Sequence, residues 1–372
     1  MKKILFVFGT RPEAIKMCPI IKKMKLNKHF ETVVCVTGQH REMLDQVLEG
    51  FGVEPDFDLS IMKKNQDLFD ITTTILIRMK SIIEKVSPDL LLVHGDTTTA
   101  LSSAIAAFYK NVAIGHVEAG LRTNNLKSPF PEEFNRHAIS IIANMHFAPT
   151  KTAYENLIKE NIDSNKIFIT GNTAIDALET TIKSGYMDEN LEWASDSKLL
   201  LVTAHRRENI GEPMRNMFRA IKRIVIERND VKVIYPVHMN PKVRDIAKEE
   251  LGNCDRIRLI EPLDVFAFHN YMAHAFIILT DSGGIQEEAP SLGKPVLVMR
   301  DTTERPEGVE AGTLKVVGTD ESMIYYNIKL LLENEKEYNK MSIAKNPYGD
   351  GHASEYIIQA IENYFKKDID RI

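Results

Sequence analysis

Short apolar segments alternate with longer stretches of helical periodicity along most of this 372-residue chain. The apolar segments are continuous and rich in Val, Ile and Leu, which is typical of parallel strands that are covered on both faces. The first half contains predicted strands at Ile4–Phe8, Thr32–Val36, Leu90–His94, Ala113–Val117, His146–Ala148 and Ile167–Thr170. The second half contains predicted strands at Lys198–Thr203, Lys232–Pro236, Ile257–Ile260, Phe276–Thr280, Pro295–Met299 and Leu314–Val317. The pattern predicts an α/β protein with two doubly wound, Rossmann-like domains.

The two series of strands also suggest where the chain divides. A single hydrophobic core usually stops growing at about 250 to 300 residues, so two domains are expected. The connection lies near residues 171–195, and we assign residues 1–172 to the first domain and 173–352 to the second. Because ligands of doubly wound domains bind at the carboxyl ends of the strands, we expect the site in a cleft between the domains.

Composition and charge exclude several classes of function. Hydrophobic residues make up 44% and charged residues 27% of the chain, as in ordinary soluble proteins, and the net charge of −5 argues against nucleic acid as a partner. Cys18, Cys35 and Cys254 are odd in number and form no Cys-x-x-Cys pair, so we expect neither disulfides nor a bound metal. No apolar stretch approaches the roughly 18 residues of a membrane span. These features predict a cytoplasmic protein without a membrane partner.

Two glycine turns follow predicted strands and are candidates for phosphate binding. Asp281-Ser282-Gly283-Gly284 precedes a predicted helix that carries Glu288, and its backbone amides could bind a diphosphate while Glu288 accepts hydrogen bonds from ribose. A plain turn with a serine cap is the alternative. Gly9 begins the other turn, in which Arg11 and Lys16 supply cations. On one regular helix these two side chains diverge by about 140°, so they converge only if Arg11 belongs to the turn, and Lys16 alone could be a surface lysine.

Three acidic residues are candidates for proton transfer. Asp96, Glu118 and Glu132 lie at or just beyond predicted strand ends, where carboxylates from successive strands can meet in one site. Mutual repulsion and burial then raise the pKa of at least one of them. Each acid could instead cap a helix or be a solvated charge, and Asp96 precedes a run of threonines that suits the capping alternative.

One histidine completes the candidate chemistry. His205 follows the first strand of the second half and is followed by Arg206, so it could donate to a phosphate or move a proton. A structural histidine is the alternative. No Gly-x-Gly-x-x-Gly follows a strand and no Gly-x-x-x-x-Gly-Lys-Ser/Thr occurs, which argues against a dinucleotide cofactor and against a P-loop.

Taken together, seven motifs in order along the chain resemble those of the bacterial non-hydrolysing UDP-N-acetylglucosamine 2-epimerases, with the capsular-polysaccharide members nearest. The motifs are Gly9–Ala14, Thr37–Met43, His94–Thr97, His116–Arg122, Pro129–Glu133, Thr203–Asn209 and Asp281–Glu288. The resemblance covers essentially the whole chain. It implies a glycosyltransferase-B fold, a terminal helix at 353–372 that returns to the first domain, a homodimer, and no added cofactor.

The resemblance also implies a reaction and a set of residues. The reaction is anti elimination of UDP from UDP-N-acetylglucosamine to 2-acetamidoglucal, followed by re-addition after protonation of C2 on the opposite face. The implied catalytic residues are Asp96, Glu118, Glu132 and His205, with the roles of the individual carboxylates left open. The implied UDP-sugar contacts are Arg11, Lys16, His205, Phe268, Ser282, Gly283, Gly284, Glu288 and Arg305.

Regulation is implied as well, because many bacterial relatives bind a second UDP-N-acetylglucosamine as an activator. The residues at the matching positions are Gln39, His40, Glu42, Arg206, Glu208 and His238. Two positions depart from the relatives: Glu42 stands where Gln is frequent, and Asn65 stands where some have Arg. The alternatives for the whole protein are a hydrolysing epimerase or a glycosyltransferase on the same fold, and a sugar-nucleotide binding protein without turnover.

Overall fold

The protein is described by a computed structural model that covers residues 1–38, 41–63 and 66–369. It contains two compact units, one formed by Met1–Thr180 together with Tyr348–Ile372 and one formed by Thr181–Pro347. Among the described residues no helix is both long and apolar enough to cross a membrane. The same residues contain no cluster of His, Cys, Asp and Glu side chains suited to a metal ion.

A parallel sheet of seven strands forms the centre of the first unit. Its strands are β1 (Lys2–Phe8), β2 (Phe30–Val36), β3 (Phe57–Asp58), β4 (Leu90–His94), β5 (Ala113–Val117), β6 (Met145–Ala148) and β7 (Ile167–Ile169). Their order across the sheet is β3-β2-β1-β4-β5-β6-β7. The helices of this unit are α1 (Arg11–Lys25), α2 (Arg41–Phe51), α3 (Leu68–Val86), α4 (Thr98–Tyr109), α5 (Glu132–Ile142), α6 (Lys151–Lys159), α7 (Thr173–Thr181) and, as numbered along the chain, α16 (Ala353–Ile369).

The second unit has the same design with a parallel sheet of six strands. Its strands are β8 (Lys198–Thr203), β9 (Val231–Pro236), β10 (Ile257–Ile260), β11 (Ile277–Thr280), β12 (Val296–Val298) and β13 (Leu314–Val316), in the order β10-β9-β8-β11-β12-β13. Its helices are α8 (Glu189–Ala194), α9 (Glu212–Glu227), α10 (Pro241–Leu251), α11 (Val265–His274), α12 (Gly283–Glu288), α13 (Pro306–Glu310), α14 (Glu321–Glu333) and α15 (Glu335–Ser342).

The continuity of the apolar segments is explained by burial on both faces of each sheet. Residues Ile4–Phe8 of β1 are all 0% exposed, and Leu200–Val202 of β8 are equally inaccessible. All the predicted strands are present, with ends displaced by no more than two residues. Strand β3 was not predicted because its two residues, paired only with the end of β2, are too short to show any periodicity.

The order of the strands fixes where side chains can gather within each unit. In the first sheet the strand order reverses between the neighbours β1 and β4: β2 and β3 lie to one side, and β5 to β7 to the other. In the second sheet the order reverses in the same way between β8 and β11. Loops leave in opposite directions at such a point and open a crevice at the carboxyl ends of the strands, where α/β proteins bind ligands. Gly9 follows β1, Asp96 lies just after β4, His205 lies just after β8 and Asp281 follows β11.

The terminal helix α16 packs on the first unit. Asp176 of α7 accepts the main-chain N–H groups of Ala353 at 3.2 Å and Ser354 at 2.7 Å, at the first turn of the helix. At its far end the ring of Phe365 lies 6.2 Å from that of Phe30. Polar contacts at one end and an aromatic pair at the other therefore fix this helix along its length.

Candidate functional site

The turn after β1 is organised by a buried carboxylate. Glu13 is 2% exposed, and its Oε2 accepts the main-chain N–H groups of Gly9 at 3.0 Å and Thr10 at 2.8 Å, and the Thr10 hydroxyl at 2.8 Å. Its Oε1 accepts the hydroxyl of Thr97 at 2.7 Å. Burial raises the pKa of Glu13 against the lowering effect of these hydrogen bonds. Because Thr97 follows β4, this side chain ties the loops at the end of both central strands together.

Glu118, directly after β5, is the centre of a polar cluster. Its Oε2 forms an ion pair with Nζ of Lys16 and accepts a hydrogen bond from Nδ2 of Asn172 at 3.2 Å. Nε2 of His94 lies 3.7 Å from the same oxygen. The φ angle of Glu118 is +61°, in the left-handed region that non-glycine residues seldom occupy. A strained backbone therefore points this side chain at the cluster, as is frequent at functional sites.

His94 in this cluster is held neutral. It is 4% exposed, and its Nε2 is buried without a hydrogen-bond partner in the described part of the chain. Burial lowers the pKa of His94 to about 4, against the opposing effect of the Glu118 charge. The Glu118 carboxylate is therefore balanced by Lys16, not by a histidine cation.

Asp96 lies beside this cluster, at the start of the loop after β4. Arg136 of α5 pairs with its Oδ2 at 2.6 Å, while Nδ2 of Asn135 donates to the Asp96 carbonyl at 2.7 Å. Burial raises the pKa of Asp96, the charge of Arg136 lowers it, and the charge of Glu118 raises it again, for a net increase. Thr97, not Asp96, caps helix α4, because its hydroxyl accepts the N–H of Ala100 at 3.0 Å. The capping alternative for Asp96 is therefore wrong.

Glu132 and Glu133 have different surroundings although they are adjacent. Glu132 is the first residue of α5 and lies well beyond the end of β5, so its predicted position near a strand end is wrong. Its carboxylate is half-buried and has no hydrogen bond or ion pair with a described residue. Glu133 is buried, accepts the N–H groups of Thr123 at 2.8 Å and Asn124 at 2.9 Å, and pairs with Arg136 at 2.8 Å. Glu133 therefore holds the loop at Thr123 and Asn124, whereas the Glu132 carboxylate is available to contact a ligand.

Arg11 and Lys16 do not share a direction. Helix α1 begins at Arg11, so the condition under which the two cations converge, with Arg11 in the turn, is not met. Lys16 is directed to Glu118, whereas Arg11 is exposed. Within the first unit the structure thus brings together Lys16, Glu118 and Asp96 and leaves Arg11 on the surface.

In the second unit a buried carboxylate again organises the site. Asp281 is 0% exposed, and its Oδ2 accepts the main-chain N–H groups of His205 and Arg206, each at 2.9 Å, and Nδ2 of Asn209 at 3.1 Å. Nδ1 of His205 lies 3.3 Å from Oδ1 of the same side chain. Asp281 therefore holds the loop after β8 against the end of β11.

The imidazole of His205 is half-buried and stacks on that of His238, with ring centroids 5.4 Å apart. Burial lowers the pKa of His205, the charge of Asp281 raises it, and the charges of His238 and Arg206 lower it. The net effect is a decrease, so the ring is neutral near pH 7 while a carboxylate stays close to it. Such a ring is placed to gain a proton when a further negative charge arrives.

The turn after β11 is open above Gly283 and flanked by two guanidinium groups. A Cβ atom placed on Gly283 would have Nη2 of Arg206 and Nη2 of Arg305 as its nearest neighbours, both at 3.8 Å. Arg305 forms an ion pair with buried Glu287. Two cations held over a bare backbone form a fitting environment for phosphate oxygens.

The other predicted contacts of the second unit lie around the same short helix. Oε2 of Glu288 is 3.4 Å from Nε2 of His269, whose Nδ1 in turn contacts the hydroxyl of Thr181 at 2.7 Å. The N–H of Ser282 donates to the hydroxyl of Thr280 at 2.9 Å. Phe268, on α11 next to His269, is partly exposed. Glu288 thus has an oriented carboxylate, as binding of a ribose would require.

The predicted activator residues are only partly covered by the structure. Gln39, His40 and Asn65 lie outside the described residues, and the side chain of Glu42 does too. In the second unit Nη2 of Arg206 lies 4.0 Å from Glu304, and Glu208 lies 3.4 Å from Arg300. His238 stacks on His205. Arg206 therefore lies beside the glycine turn and His238 against the His205 imidazole, while Glu208 acts on that imidazole through its charge.

Sequence reasoning did not assign roles to four residues that organise these groups: Glu13, Arg136, Asn172 and Asp281. One of them had a readable signal, because Thr10 followed three positions later by Glu13 is the spacing of a helix capping box. Asp281 was part of a quoted motif, but its contacts with the loop after β8 join residues more than seventy positions apart. Arg136 and Asn172 also reach their carboxylates through long-range contacts, over 40 and 54 positions.

Comparisons with known proteins point to one family. A family model described as UDP-N-acetylglucosamine 2-epimerase matches residues 22–362. A UDP-N-acetylglucosamine 2-epimerase of Bacillus subtilis (strain 168) is 58% identical over 359 residues, which cover 96% of this chain and 94% of the relative.

Solved structures give the same result. A crystal structure of a UDP-N-acetylglucosamine 2-epimerase is 56% identical, with a TM-score of 0.93 and coverage of 99% of this chain and 97% of the other. The UDP-GlcNAc 2-epimerase of Neisseria meningitidis, bound to UDP-GlcNAc, is 46% identical, with a TM-score of 0.85 and coverage of 97% and 100%. These matches confirm the predicted glycosyltransferase-B type of fold.

Proposed function

The chain belongs to the UDP-N-acetylglucosamine 2-epimerase family, and on that premise we propose that it interconverts UDP-N-acetylglucosamine and UDP-N-acetylmannosamine by elimination and re-addition of UDP. The enzyme class, an isomerase, is confirmed by the family. We further propose that the product supplies the synthesis of a surface polysaccharide.

The proposed reaction breaks two bonds on opposite faces of the sugar. A base removes the proton from C2, the C1–O bond breaks, and UDP leaves with the electron pair, so that 2-acetamidoglucal remains. A proton is then delivered to C2 from the opposite face while UDP adds again to C1. Because the C2 hydrogen is a poor acid, its loss must be coupled to departure of a stabilised leaving group, which is the task of positioned acids, bases and cations.

The observation that carries this proposal is the different environment of two neighbouring carboxyl groups in the first unit. Glu118 is ion-paired with Lys16 and Asp96 with Arg136, but burial, together with the charge of Glu118, gives Asp96 a net raised pKa. Environments that separate the protonation of two carboxyl groups allow one to act as acid and the other as base. Glu132, without a partner among the described residues, is a third candidate, and the three roles stay open.

The second unit supplies what a nucleotide diphosphate needs. Arg206 and Arg305 flank the open backbone at Gly283, and Glu288 is oriented by His269. We propose that the diphosphate lies against the turn Ser282–Gly284, next to His205, and that Glu288 binds the ribose hydroxyls. Phe268 and the cations Arg11 and Lys16 complete the proposed set of UDP-sugar contacts.

Product analysis after incubation with UDP-N-acetylglucosamine alone separates this function from its rivals on the same fold. We expect UDP-N-acetylmannosamine to accumulate to a constant ratio with the substrate, with no added nicotinamide cofactor and no net release of UDP. Free N-acetylmannosamine together with stoichiometric UDP would show a hydrolysing enzyme. Binding of UDP without any change at C2 would show a binding protein.

We also propose that UDP-N-acetylglucosamine activates the enzyme at a second site that includes Gln39, His40, Arg206, Glu208 and His238. The activator is expected to bind weakly, because Asn65 provides no guanidinium for a phosphate and Glu42 adds a negative charge. A charge-assisted hydrogen bond contributes about 1.5 to 3 kcal/mol, and a loss of about 1.4 kcal/mol raises the half-activating concentration tenfold.

Turnover that starts from pure UDP-N-acetylmannosamine tests this regulation. We expect it to be slow until a trace of UDP-N-acetylglucosamine is added. Full activity without the trace, together with a hyperbolic forward rate curve, would show that the second site does not regulate this enzyme.

A homodimer is the proposed assembly. The first unit exposes large apolar side chains on three helices that pack beside one another, among them Ile77 on α3 at 71%, Tyr109 on α4 at 74% and Ile141 on α5 at 79% exposure. We propose that these side chains belong to one apolar surface, since large exposed apolar surfaces mark interaction sites. Light scattering should give twice the chain mass of 42.2 kDa, and a monomer mass at micromolar concentration would contradict the proposal.

A further inference from the structure

The carboxylate of Asp281 is buried next to His205, and Arg300 acts on it through its charge without forming an ion pair with it. Among the described residues no lysine or arginine side chain forms an ion pair with this carboxylate. Its one ionisable partner among them is the imidazole of His205, whose Nδ1 lies 3.3 Å from Oδ1. Its oxygens accept main-chain and amide N–H groups, which stabilise a negative charge. A buried carboxylate held in this way favours a positive charge on the adjacent ring.

Besides Asp281, three ionisable groups change the pKa of the His205 ring: His238, Arg206 and Glu208. His238 stacks on it from the end of β9, and Arg206 is the next residue on its own loop, and both lower the pKa of His205. Glu208 on the same loop raises it, but less than these two lower it. The balance without ligand therefore favours a neutral imidazole, although Asp281 opposes that balance.

Binding of a diphosphate would shift this balance. Asp281 is followed directly by the turn whose bare backbone at Gly283 lies between Arg206 and Arg305. The positive charge of Arg206 disfavours protonation of the ring, and a diphosphate on that turn neutralises part of this charge. The diphosphate also adds negative charge near His205. Both changes act in the direction of an imidazolium ion.

We propose that Asp281 and His205 form a dyad that takes up one proton from solvent when the UDP group binds, with Asp281 holding the Nδ1–H side of the ring and Nε2 receiving the proton. This inference rests on the proposed binding of UDP. Asp281 is a positioning residue in it, because it acts through His205. The imidazolium then carries a proton on Nε2 that can be donated to the leaving diphosphate and recovered on re-addition, so that the number of protons is conserved over a full turnover.

Calorimetric titration of the full-length protein with UDP at pH 7, in buffers with different ionisation enthalpies, measures the protons taken up. The wild-type protein should take up about half a proton or more per UDP beyond the value for His205→Gln, which retains a hydrogen-bonding side chain that does not titrate. Proton exchange by UDP itself is common to both proteins and cancels in the comparison. Equal proton numbers in the two proteins, with UDP bound by both, would overturn the dyad.

Asp281→Asn tests the carboxylate separately, because the amide keeps the shape and one acceptor oxygen. It should bind UDP with the proton uptake lost, and full uptake in this variant would contradict the role of Asp281.

Nitrogen-15 NMR of the wild-type protein tests the dyad without an Asp281 variant. The signals of His205 are assigned as those that disappear in His205→Gln. The neutral ring should carry its proton on Nδ1, and a proton on Nε2 would overturn the dyad. Absence of UDP binding in the wild-type protein would instead refute the proposed function.

Discussion

Replacing Glu118 with Gln should lower kcat by about 100-fold or more while changing UDP affinity little, because general acid–base catalysis by one positioned group contributes about 10² to 10⁴. The amide retains the size of the side chain but can neither accept a proton as a base nor pair ionically with Lys16. The same result is expected for Asp96→Asn and for Glu132→Gln. Steady-state rates and calorimetric titration with UDP measure the two effects separately.

The exposed acid Glu54, on the same unit and without a described partner, provides a control, since Glu54→Gln removes the same charge away from the site. That variant should keep wild-type kcat. If UDP affinity fell in parallel with activity in the three site variants, the carboxyl groups would have to be assigned to binding or folding. His205→Ala, in contrast, should impair both kcat and UDP affinity.

Glu13→Ala should reduce the free energy of unfolding by about 3 kcal/mol or more, since buried donors left without an acceptor cost about 1 to 3 kcal/mol each. Four donors from Gly9, Thr10 and Thr97 lose their acceptor in this variant. Equilibrium unfolding by urea, monitored for both units, measures the change.

The isosteric variant Glu13→Gln is the matched comparison. Its amide oxygen can accept from the turn after β1, and its NH₂ group can donate to the Thr97 hydroxyl once that hydroxyl rotates, so a loss of about 1 kcal/mol is expected. A loss for Glu13→Ala no larger than for Glu13→Gln would show that these hydrogen bonds do not hold the turn.

Much of the fold could be predicted because its strands are buried on both faces. An uninterrupted apolar segment such as Leu90–His94 or Lys198–Thr203 has few alternatives once helices flank it, and both strands are found with the predicted ends. The positions of Asp96 and Glu118 followed from the same geometry, because neighbouring parallel strands end at one edge of a sheet. Strand β3 could not be predicted, because a segment of two residues is too short to show hydrophobic periodicity.

The site was less predictable where one helical position decides the direction of a side chain. Adjacent residues on a helix point about 100° apart, so the sequence could not show that Glu133 is buried and Glu132 is not. The same uncertainty applied to Arg11, whose direction depends on whether the helix begins one residue earlier or later. The role of Asp281 was still harder to predict, because it depends on contacts with the loop after β8, which is more than seventy positions away in the sequence.

Epimerisation in heavy water, followed by NMR at C2 of the sugar, distinguishes elimination from any mechanism that keeps the C2 hydrogen. We expect the UDP-N-acetylmannosamine formed from UDP-N-acetylglucosamine with ordinary hydrogen at C2 to carry deuterium there, because the original proton is removed and a solvent-derived one is delivered to the opposite face. Retention of the original hydrogen at C2 in the product would contradict the elimination mechanism and the roles proposed for Asp96, Glu118 and Glu132.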